Sequence, residues 1–186
     1  MRIIAGTARS LSLKTIPGQD TRPTTDKIKE TLFNMLAPDI PGCYFLDLFA
    51  GSGQIGLEAI SRGAEYAVFV ENSRRAAACI QENMEFTRFT DRSRLMITDV
   101  RTALLQLEGH MPLDIIFMDP PYGKGYEKET LELLSGLTLL KDDGYIVVEE
   151  LQDTDVSYCK QLGFELFKVK TYRSNAHYYF RWKEHI

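Results

Sequence analysis

The sequence FLDLFAGSGQIG, at positions 45–56, decides the fold. It opens as a short apolar strand and continues into glycines at positions 51, 53 and 56, where apolar residues begin to recur with the period of a helix. Glu71 ends the next apolar run, 20 residues after Gly51. A strand, a GxGxxG turn, a helix and a distal acidic residue are typical of nucleotide-binding units in α/β proteins. The alternative is a strand-to-helix turn that binds no ligand.

From position 44 onward, short apolar runs alternate with segments of helical period, which predicts a parallel sheet covered by helices. The predicted strands are 44–49, 67–71, 95–98, 114–118, 145–149, 165–171 and 176–183. The predicted helices begin after Gly53 and then cover 74–86, 102–107, 128–134 and 155–162. The last two strands are separated only by a short turn, so we predict that they pair antiparallel. The result is a seven-stranded sheet with one reversed strand.

The first 40 residues have a different pattern. We predict a small hairpin from residues 3–5 and 11–16, across the turn at residues 6–9. Thr24 or Thr25 is expected to cap a helix that runs to Leu36, because residues 28, 31, 32, 35 and 36 fall on one face and Pro38 follows. We therefore predict an N-terminal extension, residues 1–40, before one compact unit, residues 41–186.

The composition excludes several classes of protein. The chain has 186 residues, of which 44% are hydrophobic and 26% charged, as in a single globular domain. Its apolar runs fall short of the roughly 20 residues of a membrane helix, and its N-terminus lacks the apolar core of a secretory signal. We expect a cytoplasmic protein with no membrane partner. Cys43, Cys79 and Cys159 lack CxxC spacing, so neither a disulfide framework nor a metal site is expected.

Charge is unevenly distributed along the chain. The net charge is −4, but residues 1–36 carry six basic and three acidic side chains, which leaves −7 for the remainder. A second basic stretch, 168–183, contains five basic residues and no carboxylate. The two basic segments could form one nucleic-acid-binding patch, or the charges could be scattered over a solvated surface.

Asp47 indicates which ligand the glycine loop holds. A carboxylate before the loop repels a pyrophosphate over the helix N-terminus, but it suits a ligand with an ammonium group. S-adenosylmethionine is such a ligand, since it also has a ribose diol for Glu71 and carries no phosphate. Asp99, after the third strand, is predicted either to accept a hydrogen bond from the adenine amine or to cap the next helix.

Asp119-Pro120-Pro121-Tyr122 follows the fourth predicted strand, at the edge where open α/β sheets place their active sites. The two prolines stiffen the turn and remove two N–H donors. The turn can therefore present a carboxylate, the Pro120 carbonyl and an aromatic ring to the exocyclic amine of a base. The two acceptors bind the two amine hydrogens while Tyr122 stacks on the base. A plain structural turn is the alternative.

Together these motifs resemble the class I S-adenosylmethionine-dependent methyltransferases that modify amino groups. The N-terminal sequences MRIIAG, at 1–6, and RPTTDKIKETLFN, at 22–34, further resemble the bacterial RsmD family, which methylates N2 of guanine 966 in 16S ribosomal RNA. The resemblance covers essentially the whole chain. It implies a class I methyltransferase (Rossmann-like) fold, S-adenosylmethionine as cofactor, and 16S rRNA or the small ribosomal subunit particle as partner. It also implies that residues 1–40 recognise the substrate, and we expect a monomer.

Three sets of site residues are predicted from the motifs, the resemblance and the basic excess of residues 1–36. The predicted cofactor-binding residues are Asp47, Phe49, Ala50, Gly51, Gly53, Glu71, Asn72 and Asp99. The predicted catalytic residues are Asp119, Pro120, Pro121 and Tyr122. The predicted RNA-binding residues are Arg2, Arg9, Arg22, Lys27 and Lys29.

Three other functions are weighed against this prediction. Adenine-N6 methyltransferases of DNA or RNA share the glycine loop and Asp-Pro-Pro-Tyr. A nicotinamide-dependent oxidoreductase is disfavoured by Asp47 and by the lack of a placed proton donor, because His110, His177 and His185 are predicted to be surface or structural residues. A noncatalytic RNA-binding module has no need for the Asp-Pro-Pro-Tyr turn.

Overall fold

The computed structural model describes residues 1–16 and 26–183. The predicted helix cap at Thr24 or Thr25 and the predicted RNA contact Arg22 lie outside these residues, as does His185. Within the described ranges, no helix is long and apolar enough to cross a membrane. The cytoplasmic location stays a prediction.

The described residues form strands and helices close to those predicted. The strands are β1 Tyr44–Leu48, β2 Tyr66–Glu71, β3 Ser93–Ile97, β4 Leu113–Met118, β5 Leu140–Leu151, β6 Phe164–Thr171 and β7 Asn175–Trp182. The α-helices are α1 Asp26–Leu36, α2 Gln54–Ser61, α3 Arg74–Thr87, α4 Val100–Leu107 and α5 Tyr126–Leu134. Two short 3₁₀ helices cover Thr90–Arg92 and Ser157–Leu162.

All seven strands belong to one mixed sheet. β1 and β3 each pair parallel with β2, and β4 pairs parallel with β5. β7 runs antiparallel to both β5 and β6 because the link from β6 is too short for a crossover. The predicted α/β class, with seven strands of which one is reversed, is confirmed.

The chain divides into two compact units, Met1–Asp99 and Val100–Ile186. The N-terminal segment belongs to the first of these, together with β1 to β3 and α1 to α3. This boundary differs from the predicted one at residue 40, and the assignment of residues 1–40 to substrate recognition stays a prediction.

In the first unit, α2 packs closely on β2, and Gly56 allows it. A Cβ atom at Gly56 would lie 2.3 Å from Cε1 of Phe69, closer than any two such atoms can approach. Every residue of α2 after Gln54 is buried. The third glycine of the motif is therefore required by the contact between helix and strand.

The predicted N-terminal hairpin is present in a short form: Arg2 and Ser12 form an antiparallel bridge, and the backbone N–H of Ile3 donates to the Leu11 carbonyl at 3.0 Å. Within residues 1–16 it does not lengthen into two regular strands. The backbone N–H groups of Ile4 and Ala5 donate instead to the Glu58 carboxylate of α2, at 2.8 and 3.0 Å. Because these donors are used by a side chain, they cannot extend a strand ladder.

Lys29 was predicted to contact RNA, and the structure contradicts this. Its side chain is fully buried, and its Nζ lies 3.4 Å from Oε2 of Glu58, which is also fully buried. The Nζ also donates to the carbonyl oxygen of Arg2. Burial lowers the pKa of Lys29, although the charge of Glu58 opposes this shift. Lys29 therefore joins α1 to the N-terminal segment and cannot reach a phosphate.

In the second unit, β5 begins at Leu140 rather than at residue 145. Leu140 pairs with Leu113, and the register then shifts so that Tyr145 pairs with Ile115. A Cβ atom at Gly144 would lie 2.9 Å from the carbonyl oxygen of Asp114, so the irregular stretch approaches β4 too closely for a side chain. The strand is therefore longer than its regular apolar pattern predicts.

The prediction of a helix at residues 155–162 was wrong about the type of helix and about the residue at which it begins. The described segment is the 3₁₀ helix Ser157–Leu162. Before it, Oδ1 of Asp155 accepts a hydrogen bond from the backbone N–H of Ser157, at 2.9 Å. This local turn competes with an α-helical start at Asp155.

Replacing Lys29 by Ala should lower the free energy of unfolding by about 1–3 kcal/mol. The buried Glu58 carboxylate loses one cation but keeps Arg62, whose Nε donates to its Oε1 at 2.7 Å. Lys27→Ala is the matched control, because Lys27 is exposed on the same helix; its effect should stay within about 0.5 kcal/mol. Urea denaturation of both variants measures the difference. Equal losses would show that the Lys29–Glu58 pair contributes nothing to stability.

Candidate active site

The glycine loop between β1 and α2 has a left-handed backbone at three positions. The φ angles are 60° at Phe49, 57° at Gly51 and 78° at Gly53. This conformation costs a glycine little, but it strains Phe49. A Cβ atom built on Gly51 would meet nothing within 4 Å, so there is open space beside this backbone. A ligand can approach the loop there.

Asp47 lies near the end of β1 and is only 2% exposed. Its Oδ2 accepts a hydrogen bond from the backbone N–H of Gly56, at 2.9 Å. Gly53, the N-cap of α2, has no side chain to satisfy the first N–H groups of the helix, so Asp47 serves this purpose from the strand. Burial raises the pKa of Asp47 to about 7, against the lowering effect of the Gly56 hydrogen bond. The charge of Glu71 raises this pKa further.

Glu71, at the end of β2, holds the loop from the other side. Its Oε2 accepts from the N–H of Gly51 at 2.9 Å, and its Oε1 accepts from the N–H of Ser73 at 2.8 Å. The side chain is partly exposed, and each carboxylate oxygen has a second lone pair for a further donor. Asn72, between Glu71 and Ser73, is exposed. Glu71 can thus fix the loop and bind a hydroxyl at the same time.

These contacts decide which kind of ligand the loop suits. Three loop N–H groups already have acceptors: Gly51 donates to Glu71, Gly53 to the Ala50 carbonyl at 2.7 Å, and Gly56 to Asp47. A pyrophosphate needs such N–H groups for itself. The arrangement is therefore unsuited to a dinucleotide and suits a ligand that brings hydroxyl or ammonium donors.

Asn83 of α3 is a residue that the sequence analysis missed. It is fully buried, and its Oδ1 accepts from the backbone N–H of Lys14 at 2.8 Å. Its Nδ2 donates to the carbonyl oxygens of Lys14, at 3.1 Å, and of Ser52, at 3.0 Å. One side chain thereby joins the N-terminal segment to the glycine loop. The available signal was an amide on the buried face of a helix whose other buried residues are Ala76, Ala77, Cys79, Ile80, Met84 and Thr87.

In the second unit, Asp119-Pro120-Pro121-Tyr122 follows β4 directly, as predicted. Pro120 is buried, Pro121 is exposed, and Asp119 and Tyr122 are partly exposed. The Tyr122 hydroxyl donates to Oε1 of Glu149, at 2.7 Å. Burial, together with the charges of Glu149 and Asp119, raises the pKa of Tyr122. The ring is therefore held in place as a neutral phenol beside Asp119.

Glu149, near the end of β5, is the centre of a buried hydrogen-bond network. Besides Tyr122, it accepts from Nδ2 of Asn175 at 2.5 Å, and its Oε2 lies 2.9 Å from Nε2 of His177. The Tyr172 hydroxyl lies 3.0 Å from the other ring nitrogen, Nδ1 of His177. Burial alone would raise the pKa of Glu149, but the His177 contact and the other hydrogen bonds outweigh it and lower the pKa.

The network assigns roles that the sequence analysis did not. Glu149 was predicted only as a strand end, whereas His177 was predicted as a surface or structural residue and is a buried, hydrogen-bonded one. The next residue, Glu150, accepts from the N–H of Gly123 at 3.3 Å. Two successive glutamates of β5 therefore fix the last residue of the Asp-Pro-Pro-Tyr turn and the residue after it. The sequence signal was a pair of acidic residues at the end of an apolar strand.

The family model described as "Conserved hypothetical protein 95" matches residues 1–181. The chain belongs to this family. The predicted membership of the RsmD family is confirmed. Ribosomal RNA small subunit methyltransferase D of Escherichia coli K12 is 40% identical over 80% of this chain and 74% of its own length. The protein of that name from Buchnera aphidicola of Acyrthosiphon pisum is 36% identical over 90% of this chain and 86% of its own.

A solved structure from Escherichia coli, of a provisionally named methyltransferase, yhhF, has a TM-score of 0.84 to this chain. The two sequences are 34% identical, and the match covers 100% of this chain and 99% of the chain in that structure. The predicted class I methyltransferase fold is thus confirmed for this member of the family.

The predicted RNA-binding residues differ in how exposed they are in the structure. Arg9 and Lys27 are exposed, and Arg2 is exposed in an ion pair with Asp26 at 3.0 Å. Lys29 is buried, as shown above, and Arg22 lies outside the described residues. Asp99 is exposed directly before α4. RNA contacts by Arg2, Arg9 and Lys27 and adenine binding by Asp99 stay predictions.

The raised pKa of Asp47 predicts a pH-dependent stability. An ordinary aspartate titrates near pH 4, so between about pH 4 and pH 7 the folded state holds a proton that the unfolded state has lost. The free energy of unfolding that this group contributes must fall as the pH rises through that window. Asp47→Asn keeps an acceptor for Gly56 but cannot ionise. Between pH 4 and pH 8, the free energy of unfolding of the wild type should therefore fall by about 3–5 kcal/mol relative to that of the Asn variant. Urea denaturation across this range measures the fall, and parallel pH profiles would contradict the assignment.

Proposed function

We propose that this chain transfers a methyl group from S-adenosylmethionine to N2 of a guanine in 16S ribosomal RNA. The products are N2-methylguanine and S-adenosylhomocysteine. Family membership supports the proposal, as do relatives that are named ribosomal RNA small subunit methyltransferase D. Within the molecule, the observation that carries it is the Asp-Pro-Pro-Tyr turn, whose aromatic ring is fixed by the hydrogen bond from Tyr122 to Glu149.

The residues of the glycine loop fit this cofactor. The open space beside Gly51 admits a ligand, and the carboxylate of Glu71 has lone pairs left for ribose hydroxyls. Asp47 has a pKa of about 7, so a cation nearby would favour its charged form at neutral pH. Phe49, Ala50 and Gly53 shape the loop, while the exposed Asn72 and Asp99 are proposed to face the nucleoside.

When bound, S-adenosylmethionine supplies a methyl group on a positively charged sulfur. The Asp119 carboxylate and the Pro120 carbonyl are proposed to accept the two hydrogens of the guanine amine. These hydrogen bonds draw the nitrogen lone pair out of conjugation and direct it at the methyl group. The methylated nitrogen is acidic, so its extra proton leaves to Asp119 or to water. Tyr122 stacks on the base, and its anchored hydroxyl keeps the ring from turning.

The substrate is proposed to be bound through the basic excess of the N-terminal segment. Arg2, Arg9 and Lys27 are exposed there, and Arg22 is basic in sequence. The net charge of −4 argues against tight binding to RNA through charge alone. Naked 16S rRNA and the assembled small subunit particle are therefore both candidate substrates, and the monomeric state stays a prediction.

Transfer of tritiated methyl groups tests the proposal. Small-subunit particles, naked 16S rRNA and duplex DNA are each incubated with the protein and labelled cofactor, and the modified nucleoside is identified by mass spectrometry. N2-methylguanosine in rRNA is the expected product. N6-methyladenosine would favour the adenine-N6 alternative, and binding of NAD with no binding of S-adenosylhomocysteine in calorimetry would overturn the cofactor assignment.

Asp119→Asn should reduce methyl transfer by about 10²–10³-fold, the usual effect of losing one preorganised electrostatic contact at a reacting centre. The affinity for S-adenosylhomocysteine should change by less than about threefold, because Asp119 is proposed to bind the amine and not the cofactor. Asp143→Asn, at an exposed position of β5, is the matched control and should transfer as wild type. Single-turnover assays and calorimetry measure both quantities. Near-normal methyl transfer by Asp119→Asn would show that Asp-Pro-Pro-Tyr is only a structural turn.

A further inference from the structure

The basic stretch near the C-terminal end has no part in the proposed chemistry. It begins on β6, which is an edge strand of the sheet next to β7. Lys168 and Lys170 are both exposed on β6. The basic side chains of this stretch are Lys168, Lys170, Arg173, Arg181 and Lys183. Arg181 of β7 is paired with Glu165 of β6, so the positive charge left on this edge strand is that of Lys168 and Lys170.

An exposed aromatic ring lies among these charges. Phe167 is 41% exposed. Its ring centroid is 6.0 Å from that of Tyr145 and 6.1 Å from that of Tyr179, both in edge-to-face geometry. The guanidinium carbon of Arg181 lies 5.2 Å from the Phe167 centroid. The ring is therefore held by three neighbours while a large part of it remains in contact with solvent.

A β-bulge places Phe167 on the same face as the lysines. Leu166 pairs with Phe180 of β7, and Lys168 pairs with the adjacent residue, Tyr179. Phe167 is the extra residue between these two pairs, and such a bulge re-aims a side chain. In a regular strand, neighbours point to opposite faces. Here the Nζ of Lys168 lies 5.8 Å from the Tyr179 ring, on the side that Phe167 also contacts. We call Phe167, Lys168 and Lys170 the Phe167 face.

This face continues toward the residues that hold Tyr122. On β5, Tyr145 contacts Phe167, and Glu149 lies four residues further along the strand and on the same side of the sheet. At about 3.3 Å per residue, that separation is about 13 Å. On β7, Tyr179 and His177 are two residues apart and so lie on the same side of the sheet. His177 is the hydrogen-bond partner of Glu149. The Phe167 face and the Tyr122 anchor therefore lie along one side of the same strands.

We propose that the Phe167 face binds a single-stranded segment of the substrate RNA, with one base stacked on Phe167 and phosphates paired with Lys168 and Lys170. The inference rests on the proposed function, because it assumes an RNA substrate. A fixed aromatic ring flanked by basic side chains is the combination by which proteins bind single-stranded RNA. The positive charge complements a polyanion, whereas a protein docked by strand addition to β6 would gain nothing from the bulge or the ring.

Two pairs of variants test the proposal against matched controls. Phe167→Ala removes the exposed ring, and Val169→Ala removes a side chain of similar exposure, 43%, at a position beyond the bulge on β6. Lys170→Glu reverses a charge on the Phe167 face, and Lys160→Glu reverses an exposed charge on the 3₁₀ helix Ser157–Leu162. Fluorescence anisotropy with a labelled single-stranded oligoribonucleotide, and with intact 16S rRNA, gives the affinities over a series of salt concentrations. Circular dichroism confirms that each variant is folded.

Phe167→Ala should weaken binding by at least about fivefold, the lower end of the effect of losing one base stack. Lys170→Glu should reduce the slope of log K against log salt by about 0.7, as expected for one lost contact with a single strand. Val169→Ala and Lys160→Glu should leave both quantities unchanged. In methyl-transfer assays, Phe167→Ala should raise KM and leave kcat unchanged, since the face is proposed to bind RNA away from the reacting amine.

Two outcomes would overturn the inference, and a third would overturn only the proposed function. Equal affinities for Phe167→Ala, Val169→Ala and wild type would remove the stacking site. If the variants bind naked RNA normally but lose binding to small-subunit particles, the face contacts a ribosomal protein instead. If wild type binds RNA through this face but transfers no methyl group to any RNA, the proposed function fails while the binding surface stands. The two failures are thus distinguishable.

Discussion

The structure of the first unit depends on carboxylates that accept backbone N–H groups. Asp47 takes the N–H of Gly56 and so starts α2, while Glu71 takes the N–H of Gly51 and closes the loop against β2. Once α2 is placed, its own buried carboxylate, Glu58, takes the N–H groups of Ile4 and Ala5. Each contact gives an acceptor to a backbone N–H group whose burial without one would cost free energy. The loop, the helix and the N-terminal segment are therefore held in place one after another.

The second unit uses the same principle for an aromatic side chain. Glu149 is buried, yet it keeps a lowered pKa because Tyr122, Asn175 and His177 all approach its oxygens. A carboxylate with that many donors is strongly localised. The Tyr122 ring is therefore positioned by residues from β5 and β7, which are distant in sequence from the turn that carries it.

Local sequence patterns predicted the sheet well because alternating apolar runs and turns specify strands and helices over short distances. They also found the glycine loop, Glu71 and the Asp-Pro-Pro-Tyr turn, whose spacing is itself the signal. They failed where a residue's environment comes from a distant element. Lys29 has the sequence context of a surface lysine on a helix, and only its contact with Glu58 of α2 shows that it is buried. The network around Glu149 likewise joins residues from separate strands, and no single stretch contains it.

The side chain of Asn83 has a consequence for how the chain can be divided. It binds both backbone groups of Lys14 and the carbonyl of Ser52, so the N-terminal segment and the glycine loop share one buried amide. If the segment were deleted, that amide would lose two of its partners beside the loop, and the loop would be free to adopt other conformations. The segment is therefore not a detachable module: it could be neither removed nor transplanted without disturbing the loop it is bound to.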